Sequence, residues 1–126
     1  MKKGKYFFQK VTMFPYFDLI KVDLILSNDL NQVNKYLYEN YKPIDLLIEI
    51  NPYQTLIKEN TIICVFDPQD FEYSSIVRES VYIAENIFIS IGKEKKEQDE
   101  IFAYMVEYFF LQIVRLAKKS KIKILE

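Results

Sequence analysis

The sequence predicts an α+β domain in which a small mixed or antiparallel sheet packs with one short helix and two long C-terminal helices. Segments rich in β-branched and aromatic residues lie mainly in the first half of the chain, and such residues favour strands. Apolar residues at helical spacing fill the second half. With 126 residues, half of them hydrophobic, the chain can close one core but not two, so residues 1–126 are expected to form a single domain.

Two strands are predicted at the start of the chain. Residues 5–14 are aromatic and β-branched, which favours a strand. Residues 18–26 alternate in part, with Lys21 and Asp23 on the side opposite Val22. This pattern predicts a second strand with one polar side.

A helix and two more strands are predicted next. Ser27-Asn28-Asp29 offers the side-chain oxygens that cap a helix N-terminus, and Pro43 ends the helix. The helix is therefore expected over about residues 29–41. The apolar segments 44–50 (IDLLIEI) and 61–66 (TIICVF) predict the third and fourth strands.

The remaining chain predicts two long helices. Asp67-Pro68-Gln69-Asp70 opens a helix that runs to about Ile91, and Gly92 suits the position just after a helix end. A polar loop leads into a final helix over about residues 98–119. The predicted order is β-β-α-β-β-α-α, with strands and helices largely segregated along the chain, as in α+β domains.

Composition excludes several classes of function. The chain has no histidine, which is the commonest metal ligand and general base, and its single cysteine, Cys64, excludes an intramolecular disulfide. No apolar run approaches the ~20 residues of a membrane-spanning helix. We therefore expect a cytoplasmic protein without membrane attachment.

Charge is unevenly distributed along the chain. The net charge is −1, but residues 1–42 carry +3, residues 43–92 carry −6 and residues 93–126 carry +2. The near-neutral total argues against nucleic-acid binding by bulk charge. The segment KYFFQK, residues 5–10, mixes basic and aromatic side chains. It could stack single-stranded nucleic acid or form a buried strand with solvated ends.

The polar side of the first long helix carries the strongest candidates for a functional site. Arg78 and Tyr82 are four residues apart, so they lie one turn apart on the same side of the helix, and Glu79 lies beside Arg78. Taken by themselves, these residues are more simply explained as the plain surface of an amphipathic helix.

The stretch IVRESVYIAENIFISIG, followed by DEIFAYMVEYFF, resembles a family of small phage and prophage proteins related to zinc metallopeptidases. In that family a helix carries H-E-x-x-H; the two His and a downstream Glu bind zinc, and the Glu of the motif acts as general base. The resemblance places Arg78 and Tyr82 at the two His positions, Glu79 at the general-base position and Glu100 at the third-ligand position. It covers about residues 61–115 and implies a zincin-like remnant.

The missing histidines imply a degenerate site. Arginine cannot ligate a cation and neutral tyrosine is a poor zinc ligand, so the resemblance implies no zinc, no other cofactor and no peptidase activity. The Arg78 guanidinium would instead supply positive charge to Glu100 or Glu79. We therefore expect a contact between Arg78 and Glu100 that joins the last two helices.

The final helix predicts an interaction surface. Apolar residues lie outside its core stripe, so a second cover is expected, either from another molecule or from the N-terminal strands. The basic tail that follows is expected to contact a partner or nucleic acid, or to fray. The predicted surface comprises Phe110, Leu111, Val114, Arg115, Lys118 and Lys119.

These observations predict a non-catalytic protein encoded by a phage or prophage, a pseudo-metallopeptidase that binds and modulates a host macromolecule. The expected partner is a host protein or ribonucleoprotein, and phage biology points to an inhibitor (an anti-CRISPR) of a CRISPR-type defence nuclease or its guide-RNA complex. Direct contact with nucleic acid is left open. Two alternatives also stay open: a residual hydrolase that uses Glu79, Glu100 and Tyr82 with a weakly held metal, and a homodimeric virion-accessory protein joined through the final helix.

Overall fold

The computed structural model describes residues 4–14, 20–50, 53–58, 60–67, 71–90 and 99–125, and it confirms the α+β class. The predicted helix end at Gly92 and the predicted helix opening at Pro68 lie outside the described residues. Within the described part of the chain, no helix has both the length and the apolar character that crossing a membrane requires. The elements are β1 (Phe7–Met13), β2 (Lys21–Ser27), α1 (Leu30–Tyr41), β3 (Tyr53–Lys58), β4 (Thr61–Phe66), α2 (Tyr73–Ser90) and α3 (Asp99–Lys119).

The strands form one mixed sheet in the order β1-β2-β4-β3. β1 pairs antiparallel with β2, and Val11 lies opposite Asp23. β3 pairs antiparallel with β4. The central pair, β2 and β4, is parallel, with Lys21 opposite Thr61. β1 and β3 are therefore the two edge strands of the sheet.

The third strand lies later in the chain than the sequence predicts. Residues 44–50 do not form a strand, and residues 53–58 form β3 instead. The Asn34 side chain accounts for the difference, because its Oδ1 accepts a hydrogen bond from the Leu47 backbone N–H at 2.8 Å and its Nδ2 donates to the Leu47 carbonyl at 2.9 Å. A side chain of α1 thus takes both backbone groups that a neighbouring strand would bond. The prediction of a strand over residues 44–50 is therefore wrong.

The sheet separates two hydrophobic cores, so the expectation that this chain closes only one core is wrong. On one face, Leu24 and Leu26 of β2 pack with α2 and α3. On the other face, Ile25 packs with Val33 and Leu37 of α1. Because successive strand residues point to opposite faces, β2 contributes to both cores. β2 is therefore buried on both faces along nearly its whole length, whereas the alternation in the sequence predicts one polar side.

α1 begins and ends where the sequence predicts. Asp29 is the N-cap residue, and its Oδ1 accepts a hydrogen bond from the Gln32 backbone N–H at 3.2 Å. This bond satisfies one of the backbone donors left free at a helix start. α1 ends at Tyr41, ahead of Pro43. Tyr36 and Tyr41, the two tyrosines that bond to the sheet, both lie within these bounds.

The C-terminal tail turns back onto the domain instead of fraying. Lys121 adopts a left-handed conformation with a φ of 61°. The Ile122 backbone N–H donates to the Ala117 carbonyl at 2.8 Å, which closes the end of α3. Further on, the Leu125 backbone N–H donates to the Phe71 carbonyl at 2.6 Å. The tail is therefore hydrogen-bonded to the segment that leads into α2.

Candidate functional site

Three of the four residues predicted to form the degenerate site lie on α2. Arg78 and Tyr82 are exposed, as their shared position on the polar side of the helix predicts. Glu79 is only 7% exposed and lies against the interior. The three side chains therefore do not form a single surface site.

The helices α2 and α3 pack antiparallel. The Phe88 and Phe102 rings lie 5.2 Å apart between centroids, and the Tyr73 and Phe110 rings lie 6.1 Å apart. The end of α2 thus lies beside the start of α3, and the start of α2 lies beside the middle of α3. This pairing fixes which residues of the two helices can meet.

Glu100 is not brought to Arg78. Glu100 precedes Phe102, which lies level with Phe88, whereas Arg78 is ten residues before Phe88. At about 1.5 Å per helical residue, Arg78 therefore lies about 15 Å along the helix axis from the level of Phe88 and Phe102. In the described ranges no ion pair joins Arg78 to Glu100, and no three His, Cys, Asp or Glu side chains are placed to hold a metal ion. The expected Arg78–Glu100 contact is absent from the structure.

Glu79 is a buried carboxyl without a bonded partner. No residue of the described part of the chain donates a hydrogen bond to it or forms an ion pair with it. Burial raises the pKa of the Glu79 carboxyl, and the positive charge of Arg78 opposes part of this rise. A raised pKa means that the folded protein favours the protonated form of this side chain.

We expect Glu79→Gln to stabilise the protein at pH 7, because the neutral amide removes the cost of ionising a carboxyl whose pKa is raised by burial. The folded pKa is raised, so the wild-type carboxyl costs no stability while it is protonated in both states. The cost develops as the pH rises above the ordinary pKa of glutamate. The advantage of glutamine should therefore vanish near pH 3.5.

Thermal unfolding of the two proteins at both pH values measures this difference. Glu85→Gln, at an exposed position of the same helix, is the matched control and should change little. Equal melting temperatures for Glu79→Gln and wild type at pH 7 would contradict the expectation.

The interaction surface predicted on α3 is partly exposed. Arg115, Lys118 and Lys119 are exposed, and Leu111 is 37% exposed. Val114 is 7% exposed and belongs to the larger core, so it does not lie on this surface. The basic part of the predicted surface is therefore open to solvent, whereas part of its apolar component is buried within the chain.

Parts of the chain other than the N-terminal strands also cover the apolar side of α3. Phe110 is half-buried and contacts the Tyr73 ring at the start of α2. Ile122 and Ile124 of the tail pack against the same core. Phe110 and Val114 are thus covered within this chain, whereas Leu111 stays 37% exposed.

A cleft of about 410 Å³ lies between β1 and the C-terminal half of α3. Three cationic side chains line it: Lys10 from β1, and Arg115 and Lys119 from α3. Phe8 and Leu116 supply apolar walls, and the lining residues that the structure describes include no carboxylate. Two basic segments that are far apart in the sequence therefore meet at one site, which we call the basic cleft.

Hydrogen bonds between β1 and α3 fix the width of the basic cleft. The Lys10 Nζ donates to the Gln112 Oε1 at 2.7 Å. The hydroxyls of Thr12 and Tyr108 lie 2.6 Å apart and share a hydrogen bond. Because the partner of Lys10 is a neutral amide, the contact positions the ammonium group without neutralising its charge.

The sequence predicts only one side of the basic cleft. It indicates an interaction surface on the final helix that includes Arg115, Lys118 and Lys119, and it places Lys10 in a separate basic and aromatic segment. Nothing in the local pattern of either segment indicates that β1 would pack beside α3. Their proximity is a product of the tertiary fold, so it becomes visible only in the structure.

Asp23 forms a buried polar cluster that the sequence pattern did not reveal. It is 0% exposed at the centre of the sheet. Its Oδ2 accepts hydrogen bonds from the hydroxyls of Tyr36 and Tyr41, each at 2.5 Å, and its Oδ1 accepts one from the Gln9 Nε2 at 2.8 Å. The side of β2 that carries Asp23 is covered by α1.

The Asp23 cluster binds α1 to the sheet. Burial, followed by hydrogen bonding to Asp23, raises the pKa of the Tyr36 and Tyr41 hydroxyls well above its usual range. Both tyrosines therefore stay protonated and continue to donate over the physiological pH range. All three donors to the carboxyl group come from this chain, which points to a structural role for Asp23.

Comparison with other proteins does not identify the site. No model of a known protein family matches the chain, and curated proteins and solved structures give no significant match. Function is therefore inferred from the contacts, burial and charges of this chain.

Proposed function

We propose that this protein is a non-catalytic binding protein and that the basic cleft is its contact surface. The observation that carries the proposal is the convergence of Lys10, Arg115 and Lys119 on one cleft, where none of the described lining residues is a carboxylate. In the part of the chain that the structure describes, none of these three cations forms an ion pair. A concave site lined by one sign of charge concentrates the electrostatic potential and attracts ligands of the opposite charge.

The arrangement carries an electrostatic cost to the free protein. Arg115 and Lys119 are four residues apart on α3, and a like-charge pair at this spacing destabilises a helix by about 0.2–0.5 kcal/mol. Lys10 adds a third positive charge from the neighbouring strand. An anionic partner would remove this repulsion on binding, so the cations favour a binding role over a purely structural one.

The more specific form of the proposal draws on the resemblance of residues 61–115 to small phage and prophage proteins. In this form the protein is a pseudo-metallopeptidase that acts in the cytoplasm of a bacterial host and inhibits a CRISPR-type nuclease or its guide-RNA complex. The basic cleft supports an acidic partner, which a ribonucleoprotein provides. The identity of the partner rests on the resemblance alone.

Affinity purification from a bacterial host tests the proposal. The tagged wild type is compared with Arg115→Glu/Lys119→Glu, and with Lys21→Glu/Lys35→Glu as a control that makes the same change in net charge at exposed positions elsewhere. We expect a stoichiometric partner that the control retains and the first variant loses. If no partner is captured, or if both variants retain it, the basic cleft is not the contact surface.

A further inference from the structure

Building on the proposed function, we infer that the basic cleft is a phosphate-binding subsite for single-stranded nucleic acid. The side chains that line it include an arginine, two lysines and the hydroxyl-bearing Ser120. Arginine presents a planar fork of donors that matches phosphate oxygens, and lysine supplies a compact positive charge. Cations combined with hydroxyl donors are typical of contacts to a nucleic-acid backbone.

The number of cations favours a polynucleotide over an acidic peptide. Arg115 and Lys119 lie one helical turn apart on α3, and Lys10 faces them from β1. A polynucleotide carries a negative charge on every residue of its backbone, so each of the three cations can meet a phosphate as the strand passes through the cleft. A peptide places its charges only at scattered side chains.

The shape and lining of the cleft favour a single strand over a duplex. Proteins read duplex DNA with a protruding helix or ribbon that enters the major groove, whereas the basic cleft is concave. Phe8 and Leu116 line it with apolar surface, and the Phe8 ring stacks with the Tyr6 ring at 5.8 Å between centroids. A basic groove with aromatic side chains in its wall is the arrangement that binds single strands without sequence preference.

The negative potential at the C-terminal end of α3 accounts for only some of the cations in and beside the basic cleft. Lys118 and Lys119 lie in the last turn of α3, where positive charge stabilises the C-terminal end of a helix. Arg115 lies one turn earlier, and Lys10 belongs to another element. The helix end therefore does not explain the positive charge of Arg115 or of Lys10, and both residues line the basic cleft.

Fluorescence anisotropy with a labelled 12-nucleotide single-stranded RNA tests the inference. Three neutralised phosphates on a single strand give an expected slope of about −2 in log affinity against log salt concentration. Affinity should therefore fall roughly 20-fold between 50 and 200 mM salt. Arg115→Gln/Lys119→Gln should weaken binding at least tenfold and reduce the slope to about −0.7, because only Lys10 then remains in the cleft.

Matched probes and variants decide the outcome. Lys21→Gln/Lys35→Gln removes the same charge at exposed positions elsewhere and should bind as wild type does. Equal loss in both double variants would overturn the inference, as would equal or tighter binding of a duplex, a mononucleotide or a polyglutamate peptide. If the RNA does not bind while a captured partner still depends on Arg115 and Lys119, the phosphate subsite is wrong and the proposed function stands. If neither RNA nor a partner binds, both are wrong.

Discussion

Asp23→Ala is expected to destabilise the protein by more than about 3 kcal/mol. Asp23 is fully buried and accepts hydrogen bonds from Tyr36, Tyr41 and Gln9. Alanine would leave three donors without their acceptor beneath α1, and each buried group that loses its partner costs about 1–3 kcal/mol. The side-chain hydrogen bonds between α1 and the sheet would be lost, and the packing of Val33 and Leu37 against Ile25 would remain.

Urea unfolding, followed by circular dichroism, measures the loss. Asp23→Asn keeps one acceptor oxygen but adds two donors to a site already supplied with donors, so its effect should be smaller than that of alanine but still large. Asp45→Ala, at an exposed position, is the control and should stay within about 0.5 kcal/mol of wild type. A change of similar size for Asp23→Ala would show that the cluster does not hold α1 to the sheet.

Phe109→Ala is expected to destabilise the protein by about 3–5 kcal/mol, the usual range for a fully buried phenylalanine. Phe109 is 0% exposed, and its ring lies 6.4 Å from that of Phe14 and 5.1 Å from that of Tyr108. These rings lie where α3 meets the β1 end of the sheet. The cavity would therefore open in the interface that also positions the basic cleft.

The same helix supplies the control for this prediction. Tyr104→Ala removes an aromatic ring from an exposed position of α3 and should cost less than about 1 kcal/mol. Denaturant titration of both variants gives the comparison. Similar losses of stability for Phe109→Ala and Tyr104→Ala would contradict the packing of α3 against β1.

Local sequence patterns predict the fold class because they act over short distances. The apolar spacing of α2 and α3, the cap at Asp29 and the stop before Pro43 each depend on neighbours within a few residues. The third strand could not be placed in the same way. Residues 44–50 and 53–58 both carry strand-forming side chains, and the bonds from Asn34 to Leu47 decide between them.

For the basic cleft, too, the sequence predicts what depends on neighbouring residues but not what depends on tertiary contacts. The sequence predicts Arg115, Lys118 and Lys119 as the basic part of an interaction surface on the final helix. Lys10 joins them only because β1 lies at the sheet edge beside α3, a relation between residues about a hundred positions apart. The resemblance assigned Glu100 to the same site as Arg78, but the antiparallel pairing of α2 and α3 separates them.

The parallel pair at the centre of the sheet constrains how the protein folds during synthesis. The β1–β2 pair joins strands that follow one another in the chain, so it can form as soon as β2 has been made. β2 and β4 meet only after the 39 residues between Lys21 and Thr61 have been added, and such non-local pairing forms slowly. Until then, the apolar edge of β2 has no partner. That edge is where a nascent chain of this protein is most open to mispairing or to binding by a chaperone.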